Sequence, residues 1–269
     1  MSSRSQVTGH DPRVEMNVGL EKRVVLVTGG ARGVGLGITR VLSDLGAIPV
    51  ICARNPTDDA EALGEFIACD VRDEAGVAAM VERIVDTHGT LDGVVNNAGG
   101  SPFALAADAS STFAGKIIEL NLLAPLMVAR AANAVMQQQE SGGVIVNVSS
   151  VSGHRPSPGT SAYGAAKAGL DNVTSSLAVE WAPRVRINSV VAGPVQTELA
   201  QLHYGDADGV AAVGRTIPMG RMATPEDVGN AVAFLLSPLA AYITGSTLTV
   251  HGGGERPAFL DAANAGNGL

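Results

Sequence analysis

The chain is poor in aromatic residues. Of its 269 residues only 3% are Phe, Trp or Tyr, so the core must be assembled from Ala, Val, Leu and Ile. That material suits a parallel sheet covered by helices on both faces. Charged residues are also sparse, at 16% against 46% hydrophobic, which leaves enough for one large α/β domain or two small ones. No run of Lys or Arg occurs, and the formal charge is −8. Nucleic acid and anionic membrane surfaces are thereby disfavoured as main partners. The two cysteines, Cys52 and Cys69, lack CxxC or metal-site spacing. They read as reduced core thiols, and no metal site is expected. No apolar run reaches the ~18–20 residues of a bilayer span. The opening stretch MSSRSQVTGHDPRVEMNVGL has no apolar h-region. Residues 1–20 read as a mobile arm, and the expected location is the cytoplasm.

What the chain does have is alternation. VVLVTGG (24–30) is a β-branched run ending in glycines, and a helical stretch follows to near Gly46. IPVICA (48–53), GEFIACDV (64–71) and LDGVVNNAGG (91–100) read as further strands, with an amphipathic helix between the last two. A long helical stretch covers about 110–139, then a strand at 142–150, a helix over 161–181, a strand from VRINSVVAGP, a helix from TPEDVGNAVAFLL and a last strand from STLTV. Thr224 followed by Pro225 and two acids is a helix-start signature. Strand and helix alternate over 23–250 without a linker, which predicts one doubly wound parallel sheet of Rossmann type in a single domain, 21–269. The longest break, 195–217, falls after a strand and reads as a substrate lid.

TGGARGVG (28–35) joins the first strand to the first helix. Gly29, Gly33 and Gly35 let the backbone turn and approach a pyrophosphate, which the helix N-terminus then faces with its amides. An NAD site usually has an acid at the end of the second strand. Here Ala53 occupies that place and Arg54 follows, a guanidinium able to fork onto a 2′-phosphate. Arg32 adds a second positive charge. The expected cofactor is NADP(H), while Asp58 and Asp59 keep NAD(H) open.

Tyr163 and Lys167 are two of only six Tyr and Lys residues in the chain, and they stand four apart in SAYGAAK. Both side chains therefore emerge on one helix face. An ammonium beside a phenol lowers its pKa from roughly 10 and prepares it for general acid–base work. TGGARGVG, NNAG (96–99), VNVSS (146–150) and YGAAK (163–167), in that order, resemble the short-chain dehydrogenase/reductase family, in its single-domain branch, over about 20–255.

The resemblance implies a catalytic set of Asn121, Ser150, Tyr163 and Lys167. Ser150 precedes Tyr163 by thirteen residues, the family's usual interval. Ser149 is the neighbouring candidate, and strand alternation lets only one of the two face the site. By the same resemblance Tyr163 gives the proton, Ser150 holds the substrate oxygen, and Lys167 lowers the Tyr163 pKa and binds the nicotinamide ribose. Asn121 holds a water that links Lys167 to solvent. Val34 of the glycine loop joins the cofactor contacts. Asn97, Ala98 and Gly99 lie on the adenosine ribose side, Asp70 and Val71 bracket the adenine, and Gly193, Pro194, Val195 and Thr197 run along the nicotinamide.

Two departures stand out: Ala192-Gly193 replaces the family's Pro-Gly, and His251 replaces an Asp after the last strand. His251 reads as a surface or interface residue. His10, His88 and His154 have no partner constellation, whereas His203 and Tyr204 sit in the lid. Ser101, Pro102, Phe103, Ser152 and His154 are further pocket candidates, and Trp181 reads as packing. The implied activity is NADP(H)-dependent hydride transfer between a nicotinamide and a secondary alcohol or ketone, on a small or coenzyme-A-linked apolar substrate. A 3-oxoacyl carrier-protein reductase is an alternative, weakened because residues 131–143 contain no Lys or Arg. A dinucleotide-binding regulatory protein without turnover is another. An epimerase or dehydratase would need a larger C-terminal domain. The family also implies a homo-oligomer, a tetramer or dimer.

Overall fold

Val24–Thr28 is buried at every position, as a strand covered on both faces must be. The computed structural model describes residues 18–255 and residue 257. Of the arm expected over 1–20, only 18–20 are described, and Leu20 among them is buried in the core. Seven strands form one parallel sheet in the order β3-β2-β1-β4-β5-β6-β7. They are β1 (Val24–Thr28), β2 (Ile48–Ala53), β3 (Glu65–Ala68), β4 (Gly93–Asn96), β5 (Gly143–Ser150), β6 (Val185–Ala192) and β7 (Thr247–Val250).

Helices cover both faces. On one side Ile38 and Leu42 of α1 (Gly33–Asp44) and Val228 and Val232 of α9 (Pro225–Leu236) meet the sheet. On the other side lie Met80 and Ile84 of α3 (Glu74–His88), Val128 of α5 (Ala124–Met136), and Leu177 and Trp181 of α6 (Ser161–Trp181). The short helix α2 (Asp58–Glu61) precedes β3, and α4 (Ser111–Ile118) precedes α5. Chain direction across the sheet reverses between β1 and β4, and the crevice beyond their carboxyl ends is the ligand-binding place of such sheets. TPED caps α9 as read: Thr224 accepts from the Asp227 amide and Asp227 from the Thr224 amide.

Residues 111–136 are helical throughout, within the long stretch expected over 110–139. They form a 26-residue helical stretch holding an 18-residue window of mean hydropathy 1.4, long and apolar enough by composition alone to cross a membrane. It is not the uninterrupted apolar run that the sequence lacks. Lys116, Glu119 and Arg130 interrupt it, and part of its surface packs on the sheet. Between α4 and α5 it passes through a π-helical turn, Glu119–Leu123, which holds Asn121.

A buried polar ladder docks α6. Asn96 of β4 donates to Asn147 of β5 (2.9 Å), Asn147 to Thr174 of α6 (2.8 Å), and Thr174 meets Ser189 of β6 at 3.0 Å. The segment 195–217 folds into α7 (Ala200–Tyr204) and α8 (Ala207–Thr216) over the crevice. Both cysteines are free thiols, Cys52 in the core and Cys69 packed at its edge.

Candidate active site

The glycine loop is held open from below. Asn97, just after β4, donates its amide group to the carbonyls of Thr28 (3.0 Å) and Gly29 (3.3 Å). Thr28 Oγ1 accepts in return from the amides of Asn97 and Ala98 at 3.0 and 3.1 Å. Gly29 has φ +64°, in the left-handed region that favours glycine. The loop forms one wall of a cavity of about 410 Å³. Gly29, Arg32 and Gly33 line it from the loop, Asn97, Ala98 and Gly99 from the end of β4, and Asp70 and Val71 from the end of β3. Gly35 lies beneath the loop, against Gly29 and Asn97.

Arg54 lines the same cavity beside Ala53. Arg72 is a lining residue that no sequence motif indicated; its guanidinium forks onto Asp70, Nε at 2.9 Å and Nη2 at 2.5 Å. Arg72, and Arg54 more weakly, hold the Asp70 carboxyl down at about 2. Asp59 is turned onto Arg40 of α1 at 3.0 Å.

A second cavity, of about 450 Å³, shares Asn97, Gly99 and Thr197 with the first. Ser150, Tyr163 and Lys167 converge on it. Val34, Gly193 and Val195 close another side, and His203 and Tyr204 reach it from α7. Pro194 lies behind, its carbonyl accepting from the Ala223 amide at 3.0 Å. The Tyr163 phenol faces the same cavity as Ser150, and Lys167 Nζ stands 5.6 Å from the Tyr163 ring centroid. Lys167 is 4% exposed and donates to the Val148 carbonyl at 2.8 Å.

The expected lowering of the Tyr163 pKa by Lys167 is not what the protein alone does. Burial raises the phenol, outweighing the lowering effect of the Ser150 hydrogen bond. Burial also brings the Lys167 ammonium down to about 8. Burial disfavours the charged form of each group, and it is the largest cause of both shifts.

Asn121 is fully buried, and its side chain is already occupied. Oδ1 accepts from the Gly100 amide (2.8 Å), and Nδ2 donates to the carbonyls of Gly100 and Ile117, both at 2.9 Å. It clamps the turn after β4 through both polar groups of Gly100. Ser149 and Ser150 both line this cavity, but the Ser149 hydroxyl is engaged by Asp171 of α6 at 2.8 Å.

His154 does have a partner, Asp171, at 2.8 Å, and His88 pairs with Glu65 at 2.9 Å; both readings as unpartnered are corrected. Long-range pairing of this kind leaves no trace in local spacing. Ser101 and Ser152 line the second cavity, while Phe103 is 70% exposed. His251 packs at the back of Gly193. His10 lies outside the described residues. Another cavity, about 260 Å³, opens near the amino ends of the strands, but its guanidiniums are engaged: Arg23 on Asp92, Arg186 on the Leu235 and Ile243 carbonyls. Among the described residues no group of three His, Cys, Asp or Glu can hold a metal ion.

Comparison with known proteins supplies a context for this geometry. A family model described as enoyl-(acyl carrier protein) reductase matches residues 29–255. The cis-4-hydroxycyclohexanecarboxylate dehydrogenase of Sinomonas cyclohexanicum is 37% identical over 248 residues, covering 88% of this chain and 98% of that one. An uncharacterized short-chain type dehydrogenase/reductase of Sinorhizobium fredii is 36% identical over 241 residues; the match covers 86% of this chain but only 43% of that longer protein. The ligand-free aldohexose dehydrogenase of Thermoplasma acidophilum superposes with a TM-score of 0.83 at 30% identity, over 93% of this chain and 98% of its own.

Proposed function

The chain belongs to the short-chain dehydrogenase/reductase family, and from that premise we propose that it is an NADP(H)-dependent oxidoreductase interconverting a secondary alcohol and its ketone. The observation that carries this reading is the convergence of Ser150, Tyr163 and Lys167 on a cavity that adjoins the glycine-loop cavity. The residues fit a dinucleotide. The Gly33 amide at the start of α1 already donates to a carboxylate oxygen of Glu198 at 3.0 Å, so it is oriented toward an anion. Bound there, the cofactor supplies or takes up the reducing equivalent. The chain's own groups do the rest. Ser150 donates to the substrate oxygen, and Tyr163, kept protonated by burial, gives it a proton. Lys167 places a positive charge behind the phenol, and Asn121 holds the turn that bounds the site. The exposed Leu199 and Leu202 at the lid and the hydroxycyclohexane substrate in a relative's name favour a small apolar substrate over a carrier protein. The exposed Leu123 and Val179, on the helical stretch 111–136 and on α6, suit self-association.

Arg54 beside Ala53, with Arg72 opposite, supports the choice of NADP(H) over NAD(H). A panel of ketones assayed with both reduced cofactors tests activity and selectivity together. Consumption of NADPH in preference to NADH is expected, and Arg54→Ala should cut that preference about tenfold or more, the loss of a charge-assisted hydrogen bond. Selectivity for NADH, or binding without consumption of either cofactor, would reject the reading; the latter would favour a dinucleotide sensor.

Glu198 has a separate consequence. Its carboxylate holds the amide that a phosphate would use, so cofactor must displace it. Glu198→Gln removes the competing charge at a helix N-terminus, and the cofactor dissociation constant should fall about five- to tenfold. Calorimetric titration measures it; an unchanged or larger constant means Glu198 does not compete.

A further inference from the structure

Asp171 has a buried carboxylate that the reaction above leaves unused. It stands one helical turn beyond Lys167, as Lys167 stands one turn beyond Tyr163. Its Oδ2 accepts from Ser149 Oγ and from His154 Nε2–H, both at 2.8 Å. Its Oδ1 is buried without a hydrogen-bond partner among the described residues. Ser149 and His154 flank Ser150 in the chain: one precedes it on β5, and the other follows the 3-10 turn Val151–Gly153. One carboxylate oxygen thus ties both sides of Ser150 to the helix that bears Tyr163 and Lys167. The trio is not a hydrolytic triad, because Ser149 and His154 meet the same oxygen of Asp171 and Ser149 is 2% exposed.

The charge matters as well. Among the described residues, Asp171 is the one group that favours the Lys167 ammonium against its burial. The titratable groups around them are few. Tyr163 and Asp171 come from α6 itself and His154 from the turn after β5. Tyr204 of α7 acts on Tyr163, with Arg155 and Glu255 beyond it. A buried carboxylate with one orphaned oxygen is poor economy for stability alone.

We propose that Asp171 is a positioning residue of the active site: through Ser149 and His154 it sets Ser150 against Tyr163, and it serves as the countercharge of Lys167. His154, its side chain 46% exposed, is the solvent-facing end of the clamp. The proposal rests on the reading of Tyr163 and Lys167 as the reacting pair, so its test carries a readout independent of turnover. The chain has three lysines, which makes NMR of lysine labelled with nitrogen-15 at Nζ tractable.

In Asp171→Asn, kcat should fall about 10- to 100-fold with KM nearly unchanged, the cost of a small misplacement. The alkaline limb of the kcat profile and the Lys167 titration should both move to lower pH, by about one unit. His154→Ala, at a half-exposed turn, tests the clamp without threatening the core. It should lower kcat roughly three- to tenfold, and His154→Gln, which restores an N–H donor, should recover most of the loss. A folded Asp171→Asn with wild-type Lys167 titration and pH profile overturns the countercharge role. Full kcat in His154→Ala overturns the clamp, and does so whether or not Asp171→Asn folds. If the wild type consumes no cofactor, the oxidoreductase reading fails, and the Lys167 titration still decides the role of Asp171.

Discussion

Tyr163→Phe should lower kcat for ketone reduction by about 10²- to 10⁴-fold, the usual contribution of a positioned proton donor. The substitution removes one oxygen and keeps the ring, so packing on α6 persists and thermal unfolding should stay near wild type. Tyr163 and Ser150 line one cavity, and in Phe the substrate oxygen loses its proton source while Ser150 still binds it. KM should therefore change little. Because burial raises the phenol above its ordinary value, Tyr163 is protonated at neutral pH and ready to give a proton. Alcohol oxidation needs the phenolate and should accelerate as pH rises toward the phenol's raised pKa. Both rates are followed by absorbance of the reduced cofactor. A Phe variant within a few-fold of wild type would remove Tyr163 from the chemistry.

Gly35→Ala should abolish measurable dinucleotide binding and destabilise the fold by about 3 kcal/mol, at the upper end for overpacking. A methyl group at Gly35 would press directly on the Gly29 carbonyl and lie 2.5 Å from Asn97 Nδ2. Neither neighbour is free to yield. Gly29 is anchored by its amide to the Cys52 carbonyl at 2.7 Å, and Asn97 holds the Thr28 and Gly29 carbonyls. Relief must come from the loop itself, which then loses the turn that presents its amides. For a chain of this size the midpoint of thermal unfolding should drop by about 6–12 °C. Calorimetry reads both effects, and wild-type affinity with wild-type melting would show that the loop tolerates a side chain.

Most of the architecture is legible in the sequence. The run over Val24–Thr28, the glycines after it and the TPED start of α9 are local features whose physics involves near neighbours. The helix read over 161–181 has those same ends. The π-helical turn at Glu119–Leu123 was not legible, because it depends on Asn121 reaching across to the Gly100 turn. Nor was the sign of the Tyr163 shift. Spacing places an ammonium near a phenol, but it does not tell how dry the pocket around them is.

By itself, then, the order of residues determined the parallel sheet, the glycine loop and the shared face of Tyr163 and Lys167, since period, turn chemistry and helix pitch act over a few residues. Tertiary structure alone decided that the Ser149 hydroxyl is taken by Asp171 while the Ser150 hydroxyl is not, that Arg72 takes Asp70, that Glu198 sits on the Gly33 amide, and that His154 and Ser149 share Asp171. Each of the Ser149, Glu198 and His154 partnerships joins elements brought together only when α6 and the lid pack on the sheet, and Arg72 reaches Asp70 through the fold of a turn. No spacing along the chain encodes how those surfaces meet.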